Sequence, residues 1–156
     1  MLDSRMYPLG SGGPKGLYVK DVAIVIDGAA QTLRRRLSAA QINAGVELVP
    51  AVPGVKHRLI DAALISVGAA AAGATSVDIK ATLAGSARNL VAAAIAGLGQ
   101  SVLARMGAAN IAVLADGASL TANDANTAIT AGKTGPTLTG STFVEVVLTY
   151  ASEKAA

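Results

Sequence analysis

The stretch Phe143-Val144-Glu145-Val146-Val147-Leu148-Thr149-Tyr150 decides the fold class. Val144, Val146, Leu148 and Tyr150 fall at every second position, the period of a strand with one buried face. Working back along the chain, Asn110 to Ala115 reads as a further strand, followed by a polar segment through Ile129 and a turn around Gly132 to Pro136. Thr75 to Leu83 alternates as cleanly, with Val77, Ile79, Ala81 and Leu83 facing inward. Val55 to Val67 is a long apolar-rich strand whose alternation breaks near Ala62-Ala63, which predicts a bulge there. The alanine-glycine loop between these last two strands makes them expected neighbours.

Val46 to Val52 reads as a strand interrupted by Pro50, which cannot donate to a ladder and so implies an edge or a bulge, and Pro53-Gly54 reads as a turn. Ser38-Ala39-Ala40-Gln41 fits a capping box closed by Gly45, a helix of one or two turns. Val22 to Ile26 is a β-branched run that reads as a strand, ended by Asp27-Gly28. Asn89 to Met106 carries apolar residues at helical spacing (Leu90, Ala94, Leu98, Val102) and is expected to be a helix, although Gly97 and Gly99 count against it. Residues 1–20 form an expected extended arm, dense in glycine and proline between 8 and 16, with residues 21–156 as a single domain. Short strands, frequent turns and one or two short helices predict a mainly β protein built as a β-sandwich.

Composition narrows the function. Of the 156 residues, 52% are hydrophobic, only 3% aromatic and 15% charged, and about a fifth are alanine. A core of small side chains gains less from burial than one with Phe and Trp. A chain so apolar and so poor in charge is expected to bury surface against other subunits, as an oligomer or a docked subunit. The net charge of +3 is scattered apart from Arg34, Arg35 and Arg36, with no basic stripe interleaved with aromatics, which argues against nucleic-acid binding. There is no cysteine, so no thiolate metal site and no disulfide. The N-terminus lacks the apolar core of a signal peptide, and the longest apolar stretch, Leu59 to Ala74, is broken by Asp61, Ser66 and two glycines; a soluble chain with no membrane partner is expected.

No arrangement for catalysis stands out, and no catalytic residue, cofactor or metal is assigned. His57 is the single histidine; Lys56 and Arg58 beside it disfavour its protonation, and it reads as a packed structural residue. Gly10 to Gly16 with Lys15 lacks the spacing of a phosphate loop. Asp116 to Asn126 is rich in side-chain oxygen but does not follow a calcium-loop pattern, so solvated turns are the expectation. Arg34-Arg35-Arg36 reads either as a grip on an acidic surface or as a solvated connection; the shortage of charge elsewhere favours a partner contact. Tyr7, Lys15 and Tyr18 on the arm join these arginines as expected contact residues.

Four segments, LSAAQINAG with the following VELVPAVPG, HRLIDAALISVGAAA, AANIAVLADGASLTANDANTAIT and GSTFVEVVLTY, together within residues 33–150, resemble capsid decoration (cement) proteins of tailed bacteriophages. The resemblance implies a jelly-roll-like sandwich on the outer surface of a virion, made in the host cytoplasm and bound to the major capsid protein. It also implies a homo-oligomer, a trimer ahead of a dimer. A phage fibre or tail accessory, or a carbohydrate-binding sandwich, is the other reading; with no Trp, one Phe and three Tyr the chain has little to stack on sugar rings.

Overall fold

The computed structural model describes residues 28–156, so the strand expected at Val22–Ile26 and the expected arm, with Tyr7, Lys15 and Tyr18, lie outside the described residues. Among the described residues nine strands run in chain order: β1 (Ala30–Ser38), β2 (Val46–Val49), β3 (Val55–Val67), β4 (Ser76–Leu83), β5 (Ser86–Ala94), β6 (Leu103–Arg105), β7 (Ile111–Val113), β8 (Ile129–Thr134) and β9 (Phe143–Lys154). A short α-helix, α1 (Ala39–Ala44), lies between β1 and β2. It starts on the predicted capping box, with Ser38 accepting from the Gln41 amide and the Gln41 side chain reaching back, and it stops at Gly45 with φ of 78°.

Two antiparallel sheets form, one ordered β1-β9-β3-β6 and the other β2-β8-β4-β5-β7. β1 and β9 are neighbours, and the chain crosses between sheets at β1–β2, β2–β3, β3–β4, β5–β6, β6–β7 and β8–β9, staying within one sheet only at β4–β5 and β7–β8. Without the short edge strand β7, this is the four-on-four arrangement of a jelly roll. Leu37, Leu59, Leu64, Val144, Val146 and Leu148 from one sheet meet Val77, Ile79, Val91, Ile129 and Ala131 from the other in a single core. The core holds no Phe: the chain's one phenylalanine, Phe143, is 38% exposed.

Several expectations are corrected. Asn89 to Met106 is not a helix but most of β5, a tight corner at Ile95–Gly97, and β6. The register jumps between Ile79 opposite Val91 and Lys80 opposite Asn89, so Leu90 is the extra residue of a bulge. Leu90 and Val91 are therefore both buried, and the resulting 90, 91, 93 pattern imitates a helical stripe. The bulge in β3 lies at Ile60, between Leu59 and Asp61, not at Ala62-Ala63. β3 and β4 belong to opposite sheets; the loop between them crosses the sandwich rather than turning a hairpin. Gly132 is inside β8, and the chain turns at Gly135, whose φ is 82°.

β3 is thirteen residues long but β6 covers only Ala63 to Ile65 of its outer edge. The segment 123–126 covers the start of β3: the Asn123 amide donates to the His57 carbonyl at 2.8 Å and the Asn126 amide to the Val55 carbonyl at 3.1 Å. That part of an otherwise open edge is thereby closed without a regular strand.

Candidate functional site

Alternation along β1 splits the arginine triplet. Arg34 and Arg36 lie opposite Val147 and Glu145 on the outer face of the first sheet, whereas Arg35 lies opposite the core residue Val146. At the sheet edge Arg35 turns its guanidinium to the Glu47 carbonyl of β2, 2.7 Å away, and so ties the two sheets together. Arg34 and Arg36 both donate to Glu145, Arg36 at 3.3 Å. Glu145 itself is only 6% exposed. The Arg34 hydrogen bond holds the Glu145 carboxyl below the usual carboxylate range; burial opposes this and Arg36 reinforces it.

The strand register arranges the outer face of this sheet in rows. One row runs Leu103, Ile65, Glu145, Arg36; the next runs Arg105, Ala63, Val147, Arg34; Phe143 and Val67 adjoin them. Cross-strand neighbours on one face touch, so Leu103, Ile65, Val67, Phe143, Ala63 and Val147 form one apolar field. Leu103 is 56% exposed. Arg105 pairs with Asp61 at 2.7 Å on one flank, and Arg58 with Glu153 at 3.8 Å farther along. The outer face of the second sheet is different: Thr130, Gly132 and Thr134 of β8 flank Ser76, Asp78 and Lys80 of β4, with Asn89 and Ala92 of β5 beyond.

His57 is buried, with Nε2 3.0 Å from the Pro50 carbonyl and Nδ1 2.9 Å from Ser152 Oγ. A carbonyl only accepts, so Nε2 carries the proton and Nδ1 accepts from the hydroxyl. Desolvation lowers the His57 pKa from its ordinary value, and the Pro50 contact partly offsets this.

The oxygen-rich stretch from Asp116 to Asn126 is only partly a set of solvated turns: Asp116, Gly117, Thr121 and Asn126 are exposed, and its other oxygen-bearing side chains are not. Ser119 is buried and donates to the Leu90 carbonyl at 2.6 Å; Asn123 is buried against His57; Asp124 accepts from the Ala84 and Gly85 amides at 3.0 and 2.7 Å. These oxygens serve neighbouring backbone rather than converging on a common point. Among the described residues no group of three or more His, Cys, Asp or Glu side chains is placed to hold a metal. Nor is any helix among them long and apolar enough to cross a membrane. A groove of about 230 Å³ lies between the end of α1 (Ile42 to Gly45) and Lys80, Thr130 and Lys133, with the Lys80 ammonium already 3.1 Å from the Lys133 carbonyl and 3.5 Å from Asp78.

No family model, curated protein or solved structure matches this chain. Sequence reading found Arg34 and Arg36 but missed Glu145, Ile65, Leu103 and Phe143 as their companions. The signal was present: in β3 and β9 apolar residues occupy both phases of the alternation, as in a sheet covered on both faces.

Proposed function

We propose that this chain is a structural, non-enzymatic subunit of a virus particle that binds the outer surface of a phage capsid and bridges neighbouring shell subunits, acting as a small homo-oligomer. The observation that carries the reading is that large apolar side chains, Leu103 and Phe143 foremost, stand outside a well-formed core on the outer face of the first sheet. A sandwich whose core is complete gains nothing from these residues unless another protein surface covers them. The jelly-roll order is compatible, since that architecture recurs in virion proteins, although a fold alone assigns no function. The side chains best suited to chemistry have structural partners: His57 holds Pro50 and Ser152, and Asp78 holds Ser76, Thr134 and Lys80. Sugar recognition is less well supported, because Tyr150 packs edge-on against His57, their ring centroids 6.2 Å apart, rather than presenting an open stacking face.

Quantitative mass spectrometry of purified particles from the source tests the proposal by counting this chain against the major capsid protein. A copy number comparable to that of the capsid protein supports it. A handful of copies per particle makes the chain a tail or fibre part, and absence from particles refutes a virion role.

A further inference from the structure

We infer that the outer face of the β1-β9-β3-β6 sheet is the surface that meets the shell, and that it takes a protein surface with an apolar centre and carboxylates at its rim. This rests on the capsid-binding reading and specifies which face is used and the chemistry it meets.

Three observations converge on that face. First, the two outer faces of the sandwich differ in kind. The β8-β4-β5 face is hydroxyls, an amide, alanine, glycine and the Asp78–Lys80 pair, with no large apolar side chain, whereas the opposite one carries Leu103, Ile65, Val147 and Val67. Second, the only phenylalanine in the chain is placed there instead of in the core, and large aromatics are enriched where protein surfaces meet. Third, the charge on the β1 side is unbalanced. Arg34 and Arg36 are 68% and 60% exposed at the side chain and share one carboxylate, Glu145, so two cations meet one anion beside the apolar field. On the other flank Arg105 and Asp61 balance one another.

This imbalance selects the occupant. A second copy packed face to face would bring no free carboxylate to Arg34 and Arg36, because Glu145 and Asp61 of the same face are already paired with arginines. A shell surface bearing Asp or Glu opposite Arg34 and Arg36 would be drawn to the face and held in register, while the apolar centre supplies the buried area. The clamp on Glu145 also fixes both guanidinium groups before binding, which lowers the ordering cost of long side chains at the contact.

The test uses the full chain and shells assembled without it, with binding measured by co-sedimentation. Leu103→Asp and Leu103→Lys disturb the same exposed site with opposite charge, and Val113→Asp changes an equally exposed apolar residue on β7. All three are surface changes, and circular dichroism melts verify that each variant is folded. The expected result is that wild type and Val113→Asp bind alike, Leu103→Asp binds at least about tenfold more weakly, and Leu103→Lys loses several-fold less than Leu103→Asp. Wild-type binding should weaken as NaCl is raised. Wild-type strength for Leu103→Asp overturns the face; equal losses for Asp and Lys overturn the acidic partner. If Leu103→Asp instead breaks up an oligomer of the chain and leaves shell binding intact, the face is a contact between copies and the inference is wrong. Failure of the wild type to bind any shell removes the capsid reading itself, and the inference falls with it.

Discussion

His57 and Ser152 lie opposite one another on β3 and β9, with Nδ1 of the imidazole 2.9 Å from the serine hydroxyl. The pair sits on the inner side of the sheet, and a charged ring there would lose both water and the hydroxyl proton it now accepts. Because burial lowers the His57 pKa, the folded state holds the neutral ring more firmly than the unfolded chain does. The resulting stability is complete above the unfolded value of about 6.5 and is lost as pH falls through that value toward the folded one. The chain has a single histidine, so a fall in melting temperature between pH 7 and pH 5 is expected for the wild type and should be largely absent in His57→Gln. Equal pH dependence in the two proteins would show that the ring is not the titrating group.

Asn123 is the residue most tightly bound to that histidine's backbone. Its Oδ1 accepts from the His57 amide at 2.6 Å and its Nδ2 donates to the Thr127 carbonyl at 3.0 Å, with the side chain buried. Asn123→Ala leaves a buried amide and a carbonyl without partners, at an expected cost of about 2 to 3 kcal/mol. Urea unfolding measures this directly, and a loss below about 0.5 kcal/mol would mean that water replaces the side chain.

At the other end of the fold, Ser38 begins α1. Its hydroxyl is 3.2 Å from the Gln41 amide, and the Gln41 side chain returns 2.9 Å to the Ser38 amide. Ser38→Ala should cost about 1 kcal/mol, and Ser38→Asp, which keeps an acceptor at the cap, should recover most of it. Both are read from thermal melts.

These residues mark what the sequence makes legible. Val144, Val146 and Leu148 show their strand because one unbroken alternation matches one buried face, and Ser38 with Gln41 shows its helix because the cap is local. Leu90 misleads because a bulge puts two successive residues in the core, and that irregularity is set by pairing with β4, not by β5 itself. Asn123 and Asp124 look solvated because the backbone groups they serve lie far away in sequence, at His57 and at Ala84-Gly85. Arg34 and Arg36 are recognisable as a cluster, but their common carboxylate, Glu145, is more than a hundred residues distant. Only the β1–β9 register brings them together.

Asp78 gives the sharpest test of how a polar group is tolerated in this fold. It is fully buried on the outward side of β4, where its neighbours Gly132 and Ala92 are too small to cover it. The Lys80 side chain covers Gly132 instead: a Cβ at Gly132 would stand 3.4 Å from Lys80 Cε. Ser76 and Thr134 each donate to the Asp78 carboxylate at 2.7 Å, with the Lys80 ammonium 3.5 Å away. Removing one member of such a set leaves the others unpaired, whereas removing the charges together does not. Asp78→Ala is therefore expected to cost about 3 kcal/mol. Lys80→Met added to it should cost less than Lys80→Met alone, because the ammonium no longer has a carboxylate to lose. The two single variants and the double variant, unfolded in urea, close the cycle. Strict additivity would show that Lys80 only covers Gly132 and contributes nothing through its charge.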